Sequence, residues 1–132
     1  MPSKSNCVKL SGYWIGTGIE YGIDVNRDIQ KTELKLVKQI QKISDDVYKV
    51  DETYYNMNGA INYGPITYLI STGDDKKDFI TSDSRGMGVD FYNVVDNTMI
   101  YRYNINGITI SIDEQYSSLN GTFKLKKVPQ CF

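Results

Sequence analysis

Residues 86–128 read GMGVDFYNVVDNTMIYRYNINGITISIDEQYSSLNGTFKLKKV. Three dipeptides of turn type punctuate the stretch: Asp96-Asn97, Asn106-Gly107 and Asn120-Gly121, each between residues of strand type. Such pairs are the strongest short hairpin signal, because both central positions of a type I′ turn need positive φ. The spacing predicts four consecutive antiparallel strands over 86–95, 98–105, 108–119 and 122–128. A two-residue turn also fixes register, so Val95 should face Thr98, Ile105 should face Ile108, and Leu119 should face Thr122. Counting back gives the rows Tyr92–Tyr101–Ile112, Asp90–Tyr103–Ile110 and Tyr116–Leu125. One face then gathers Val94, Met99, Ile105, Ile108 and Phe123 with those residues, Asp90 among them. The other carries Arg102, Asn104, Thr109, Ser111, Asp113, Gln115, Thr122, Lys124 and Lys126.

The same alternation runs back through the chain. After a lead-in over 1–11, Gly12 to Gly22 separates Trp14, Gly16, Gly18 and Glu20 from Tyr13, Ile15, Thr17, Ile19 and Tyr21. Several glycines on one face permit the close approach and coiling of a sheet that curls. Thr32 to Ile43 partly fits a helical stripe through Leu34, Val37 and Gln41, but its β-branched residues favour a strand. Val47 to Tyr55 alternates again, placing Tyr48, Val50, Glu52 and Tyr54 together. Ile61 to Ser71 is a strand broken at Gly64-Pro65, where a missing N–H marks an edge or a bulge. Asp78 to Thr81 adds a short strand. About eight to ten strands with almost no helix must close on themselves or stack, since long bare edges aggregate. Sequential tight hairpins favour an all-β, antiparallel up-and-down β-barrel over 12–128, followed by a short tail over 129–132.

Composition narrows the chemistry. The chain has 132 residues and a formal net charge of −1, which suits one domain and argues against a grip on nucleic-acid backbone. No run of about 18 apolar residues offers a membrane span. Met1–Asn6 is polar, unlike a secretory leader. The expected location is therefore the cytoplasm or the inside of a virus particle. Ile, Asn, Lys and Tyr are abundant and Ala60 is the single alanine, as AT-rich codon usage would produce. There is no histidine, which removes imidazole bases and imidazole metal sites. No phosphate-binding glycine loop opens a helix, and two cysteines cannot make a four-thiolate zinc centre. No cofactor is implied, and carboxylates are the remaining acid–base groups.

Gly12-x-Trp14 on the first strand, the up-and-down meander and a closing strand over Phe123–Val128 resemble the calycin group, the lipocalins and fatty-acid-binding proteins. The resemblance implies a barrel whose Trp14 plugs the closed end and packs on a basic residue from a late strand. The register puts Arg102 outward, away from that role. It also implies a non-enzymatic protein holding a small apolar or aromatic ligand inside.

The residues expected to line that interior are Trp14, Glu20, Asp90, Tyr92, Tyr101, Tyr103 and Tyr116, with Asp90 as the polar anchor. An inward carboxylate must find hydrogen bonds or charge, or its pKa rises. Paired with Asp90, Glu20 could do acid–base work, and an isomerase or cyclase using carboxylate and tyrosine is a third reading. The alternative is a structural or interaction protein with a filled barrel, a component of a larger assembly. An inward Trp14 turns Tyr13, Ile15, Ile19 and Tyr21 outward, an apolar stripe suited to a homo-oligomer contact. Cys7 and Cys131 bracket the barrel. With an even strand count they meet and can form a disulfide; with nine strands they lie at opposite ends.

Overall fold

In the computed structural model, residues 10–71, 82–83, 91–95, 97–109 and 115–128 are described. They form eight strands: β1 (Gly12–Asp24), β2 (Ile29–Ser44), β3 (Val47–Asn56), β4 (Ile61–Ser71), β5 (Ser82–Asp83), β6 (Phe91–Val95), β7 (Thr98–Thr109) and β8 (Gln115–Lys127). All pairings are antiparallel, in one sheet of order β5-β4-β3-β2-β1-β8-β7-β6. The first and last strands are neighbours at its centre. Among the described residues β5 and β6 are not paired, so the hydrogen-bonded ladder stays open there.

Short polar turns drive the meander. Between β1 and β2 the Asp24 carboxylate accepts from the Asn26 and Asp28 amides at 2.8 and 3.0 Å, and Arg27 takes a φ of 66°. That is an Asx turn, the short acid side chain standing in for backbone. Asp45-Asp46 joins β2 to β3 with Asp46 at φ 66°. The β3–β4 turn closes through Gly59, whose amide donates to Asn56 at 2.9 Å. Gly64-Pro65 sits opposite a register shift between Glu52 and Tyr54, the bulge that a residue without an N–H requires.

Of the three expected turns in the last third of the chain, one is found. Val95 pairs with Thr98 and Tyr92 with Tyr101, with Asn97 at φ 60°. Asn106-Gly107 and Asn120-Gly121 lie inside unbroken strands instead, and Thr109 pairs with Gln115, so the reversal falls between those two residues. The observed partners are therefore Ile105↔Leu119, Ile108↔Tyr116, Tyr101↔Phe123, Tyr103↔Gly121 and Met99↔Leu125. Those pairs replace Ile105–Ile108, Leu119–Thr122, Tyr101–Ile112, Tyr103–Ile110 and Tyr116–Leu125. Long-range pairing overrode local turn propensity. A bend at Asn120-Gly121 would cut the inward series Leu119, Phe123, Leu125 that pins β8 between β1 and β7. A Cβ on Gly121 would lie 2.2 Å from the Tyr103 ring, so this glycine makes room for an aromatic in mid-strand.

Strand periodicity survives this change of register. Met99, Tyr101, Tyr103, Phe123 and Leu125 are buried, while Arg102, Asn104, Thr122, Lys124 and Lys126 are exposed. Trp14 is fully buried, with Tyr13, Ile15 and Tyr21 outward on the same strand. The sheet rolls strongly. The Tyr54 ring on β3 meets Phe123 on β8, across the intervening β2 and β1, with centroids 5.6 Å apart, and Tyr103 one strand further, on β7, at 6.4 Å. Asp90, Cys7 and Cys131 lie outside the described residues, as does the short strand expected over Asp78–Thr81.

Candidate functional site

The inward residues of β1 divide the interior into two levels. Trp14 marks one end. Its indole N–H donates to the Leu10 carbonyl at 2.8 Å, and the Lys127 ammonium lies 5.7 Å from the ring centroid. Gly12 has a φ of +134°, in the region open to glycine, and a Cβ there would meet the Lys127 side chain at 2.8 Å. Gly12 thus lets the lysine stem cross the strand and reach the indole. Partial burial holds the Lys127 pKa below the usual lysine value. A basic residue from the last strand does pack on Trp14, and it is Lys127; Arg102 is exposed.

Directly beside Trp14 in register are Lys38 on β2 and, next to it, Glu52 on β3. Both side chains are fully buried and form an ion pair at 3.0 Å. Lys38 also donates to the Tyr68 hydroxyl at 3.0 Å and lies 3.2 Å above the Tyr101 ring centroid. The Tyr54 hydroxyl donates to the other Glu52 oxygen at 3.3 Å. Burial first, then the neighbouring Tyr101 and Glu52, push the Tyr54 pKa well above that of free tyrosine. Burying a lysine is tolerable only when charge and hydrogen bonds replace its water, and here a carboxylate, a hydroxyl and an aromatic face do so.

The second level lies toward the other end of β1. Glu20 is half-buried and accepts a hydrogen bond from the Tyr103 hydroxyl. Desolvation raises its pKa above 4.5, and the bond from Tyr103 opposes part of that rise. Tyr103 stacks on Phe123 with centroids 6.1 Å apart, and Tyr101 lies 5.6 Å from Tyr103. At about 3.3 Å per residue, Glu20 stands some 20 Å along β1 from Trp14 and the Glu52 row.

The expected site residues therefore do not form one cluster. Glu20 and Tyr103 come together, Trp14 belongs to the opposite end, and Tyr101 lies between, beside Tyr103 and under the Lys38 ammonium. Tyr92 and Tyr116 are placed by backbone alone, opposite Tyr101 and Ile108. The anchor role given to Asp90 and its pairing with Glu20 fall outside the described residues. Lys38 and Glu52 are the polar centre that sequence reasoning passed over. The signal was present: Glu52 shares parity with Tyr48, Val50 and Tyr54, and Lys38 shares it with Leu34, Leu36 and Ile40. Among the described residues no group of three or more acids or cysteines could hold a metal ion, and no helix is long and apolar enough to cross a membrane.

No family model, curated protein or solved structure matches the chain.

Proposed function

We propose that this chain is a non-enzymatic, calycin-like up-and-down barrel whose interior is occupied by its own side chains, and that it acts by surface contact as a structural or interaction component. The observation that carries this reading is the meeting of Tyr54 from one wall with Tyr103 and Phe123 from the opposite wall, at the level where a ligand would sit. The buried Lys38–Glu52 pair at the next level supports it, since a ligand entering there would have to break an ion pair. The barrel assignment draws on the pairing of β1 with β8 and on Lys127 over the Trp14 of Gly12-x-Trp14. Native mass spectrometry of protein purified from its natural source tests the proposal. The expected mass is that of the bare chain or an oligomer of it; a co-purifying small molecule would overturn it.

A second reading rests on Glu20. A half-buried carboxylate of raised pKa beside Tyr103 and Phe123 has the chemistry of a polar anchor for a small apolar ligand. Under this reading the Trp14 end is closed and the ligand rests on the aromatic layer. Glu20→Gln should then weaken binding of the co-purified ligand while the fold survives.

A further inference from the structure

Among the described residues, the outer face of the adjoining strands β2, β1, β8 and β7 is rich in cations. Lys31 and Lys35 on β2, Lys124 and Lys126 on β8, and Arg102 on β7 are all exposed there; among the described residues Glu33 is the acid on that face of these strands, with Asp51 on the adjoining β3. The chain as a whole carries a net charge of −1. Asp24, half-buried, ends β1, and the exposed Asp28 follows in the turn that leads to Lys31; the exposed Asp45 and Asp46 sit in the turn at the other end of β2. Register interleaves the cations with apolar side chains. One row across the sheet runs Lys35–Thr17–Lys124–Ile100, and the next runs Val37–Ile15–Lys126–Thr98. Ile15, at the middle of its row, is 47% exposed, and Tyr13 and Tyr21 on the same strand are 37% and 42% exposed.

We propose that this face docks an acidic polypeptide segment of another protein, its apolar side chains on Ile15 and its carboxylates on the flanking lysines. An apolar centre within a rim of one sign is the layout of a protein–protein contact. β1 and β8 are hydrogen-bonded on both sides, so the partner is held by side chains and not by adding a strand. A second copy using the same face would set lysine against lysine. Nucleic acid is the weaker occupant, because a chain of net charge −1 gains little from counterion release, and the centre of the two rows is the isoleucine and not the flanking Tyr13 and Tyr21. The proposal rests on the reading that the protein works through its surface.

Two probes decide it: poly-L-glutamate, and a glutamate–tyrosine copolymer of similar charge. The copolymer should bind more tightly than poly-L-glutamate, with amide NMR shifts centred on Ile15, Thr17 and Lys124. Reversing Lys124 and Lys126 to Glu should lower its affinity at least about tenfold, as should Ile15→Ser at unchanged charge. All three side chains point to solvent, so these variants keep the fold. Absence of copolymer binding, or equal binding of both polymers, overturns the proposal. So does tighter binding of an oligothymidylate or of phosphatidylserine vesicles, or a concentration-dependent dimer abolished by the same substitutions. A small molecule inside the barrel would overturn the reading of the interior without altering any of these results, so the two failures are distinguishable.

Discussion

Lys38 and Glu52 are direct partners in the β2–β3 ladder, and their charged ends meet at 3.0 Å with both side chains shut off from solvent. Removing one partner leaves an uncompensated charge in the core, which costs about 3–5 kcal/mol. Lys38→Met and Glu52→Gln should each lose that much in urea unfolding. Replacing both together by Met and Leu should recover most of the loss, because a buried pair is often no better than well-packed apolar residues. A double variant as unstable as the sum of the singles would show that the network around Tyr68, Tyr54 and Tyr101, and not the charge pairing, is what the core depends on.

Glu20 gives a pH dependence whose sign follows from its raised pKa. A carboxyl that holds its proton longer in the folded state makes that state bind more protons than the unfolded chain across the interval between the two pKa values. The stabilisation is complete below the unfolded value, near 4.5, and is lost as the pH rises through the folded value. Glu20→Gln keeps an acceptor for the Tyr103 hydroxyl without the charge. Its stability should exceed that of the native chain at neutral pH and stay flat across the interval where the native chain declines. Denaturant midpoints at several pH values check this, and a variant destabilised at neutral pH would show that the charged hydrogen bond outweighs desolvation.

The parts of this architecture that sequence makes legible are those set by a period of two. Alternation alone places Trp14 and Glu20 inward, Ile15 and Tyr21 outward, and Tyr101 and Phe123 in the core. It does so even though two of the assumed turns are absent, because the inward set depends on parity within each strand and not on which strand lies opposite. The turns fail for a physical reason. Asn-Gly is a local preference, and the pairing of β8 with both β1 and β7 outweighs it. Glycine in such a strand signals close approach as readily as reversal, and Gly121 beneath Tyr103 is of the former kind. Lys38 and Glu52 were obscured because charged residues are read as solvated until each is seen to supply what the other needs.

Antiparallel pairing of β1 with β8 bears on the two cysteines. Trp14 lies opposite Lys127, and the Val128 amide donates to the Tyr13 carbonyl at 2.9 Å. Leu10 and Val128, the first and last described residues, therefore lie at the same end of the sheet, and the prediction is that Cys7 and Cys131 meet. In an oxidising buffer the expected product is an intramolecular bridge, detected as two thiols refractory to alkylation and a mass lower by two hydrogens. In the chain-entropy model a bridge closing so long a loop stabilises by about 4–5 kcal/mol, so reduction should lower the unfolding midpoint. Full alkylation of both thiols in the oxidised, folded protein would sink the idea.

The inward glycines of β1 are where the sheet is least tolerant of a side chain. A Cβ on Gly16 would sit 2.0 Å from the Lys124 carbonyl oxygen and 2.8 Å from the Leu125 Cα, both main-chain atoms of the adjoining strand. One on Gly18 would lie 2.2 Å from the Thr122 oxygen and 2.5 Å from the Phe123 ring. Main chain in a paired strand cannot step aside as a side chain can, so Gly16→Ala should cost about 3 kcal/mol or more. Gly59 separates this effect from backbone strain. It has a φ of +94° with open space where a Cβ would go, so Gly59→Ala should cost only about 1–2 kcal/mol. Denaturant unfolding of the two variants side by side measures the difference. A Gly16→Ala protein no less stable than Gly59→Ala would mean that β1 and β8 can separate without loss, and the closely apposed centre of the sheet described here would be wrong.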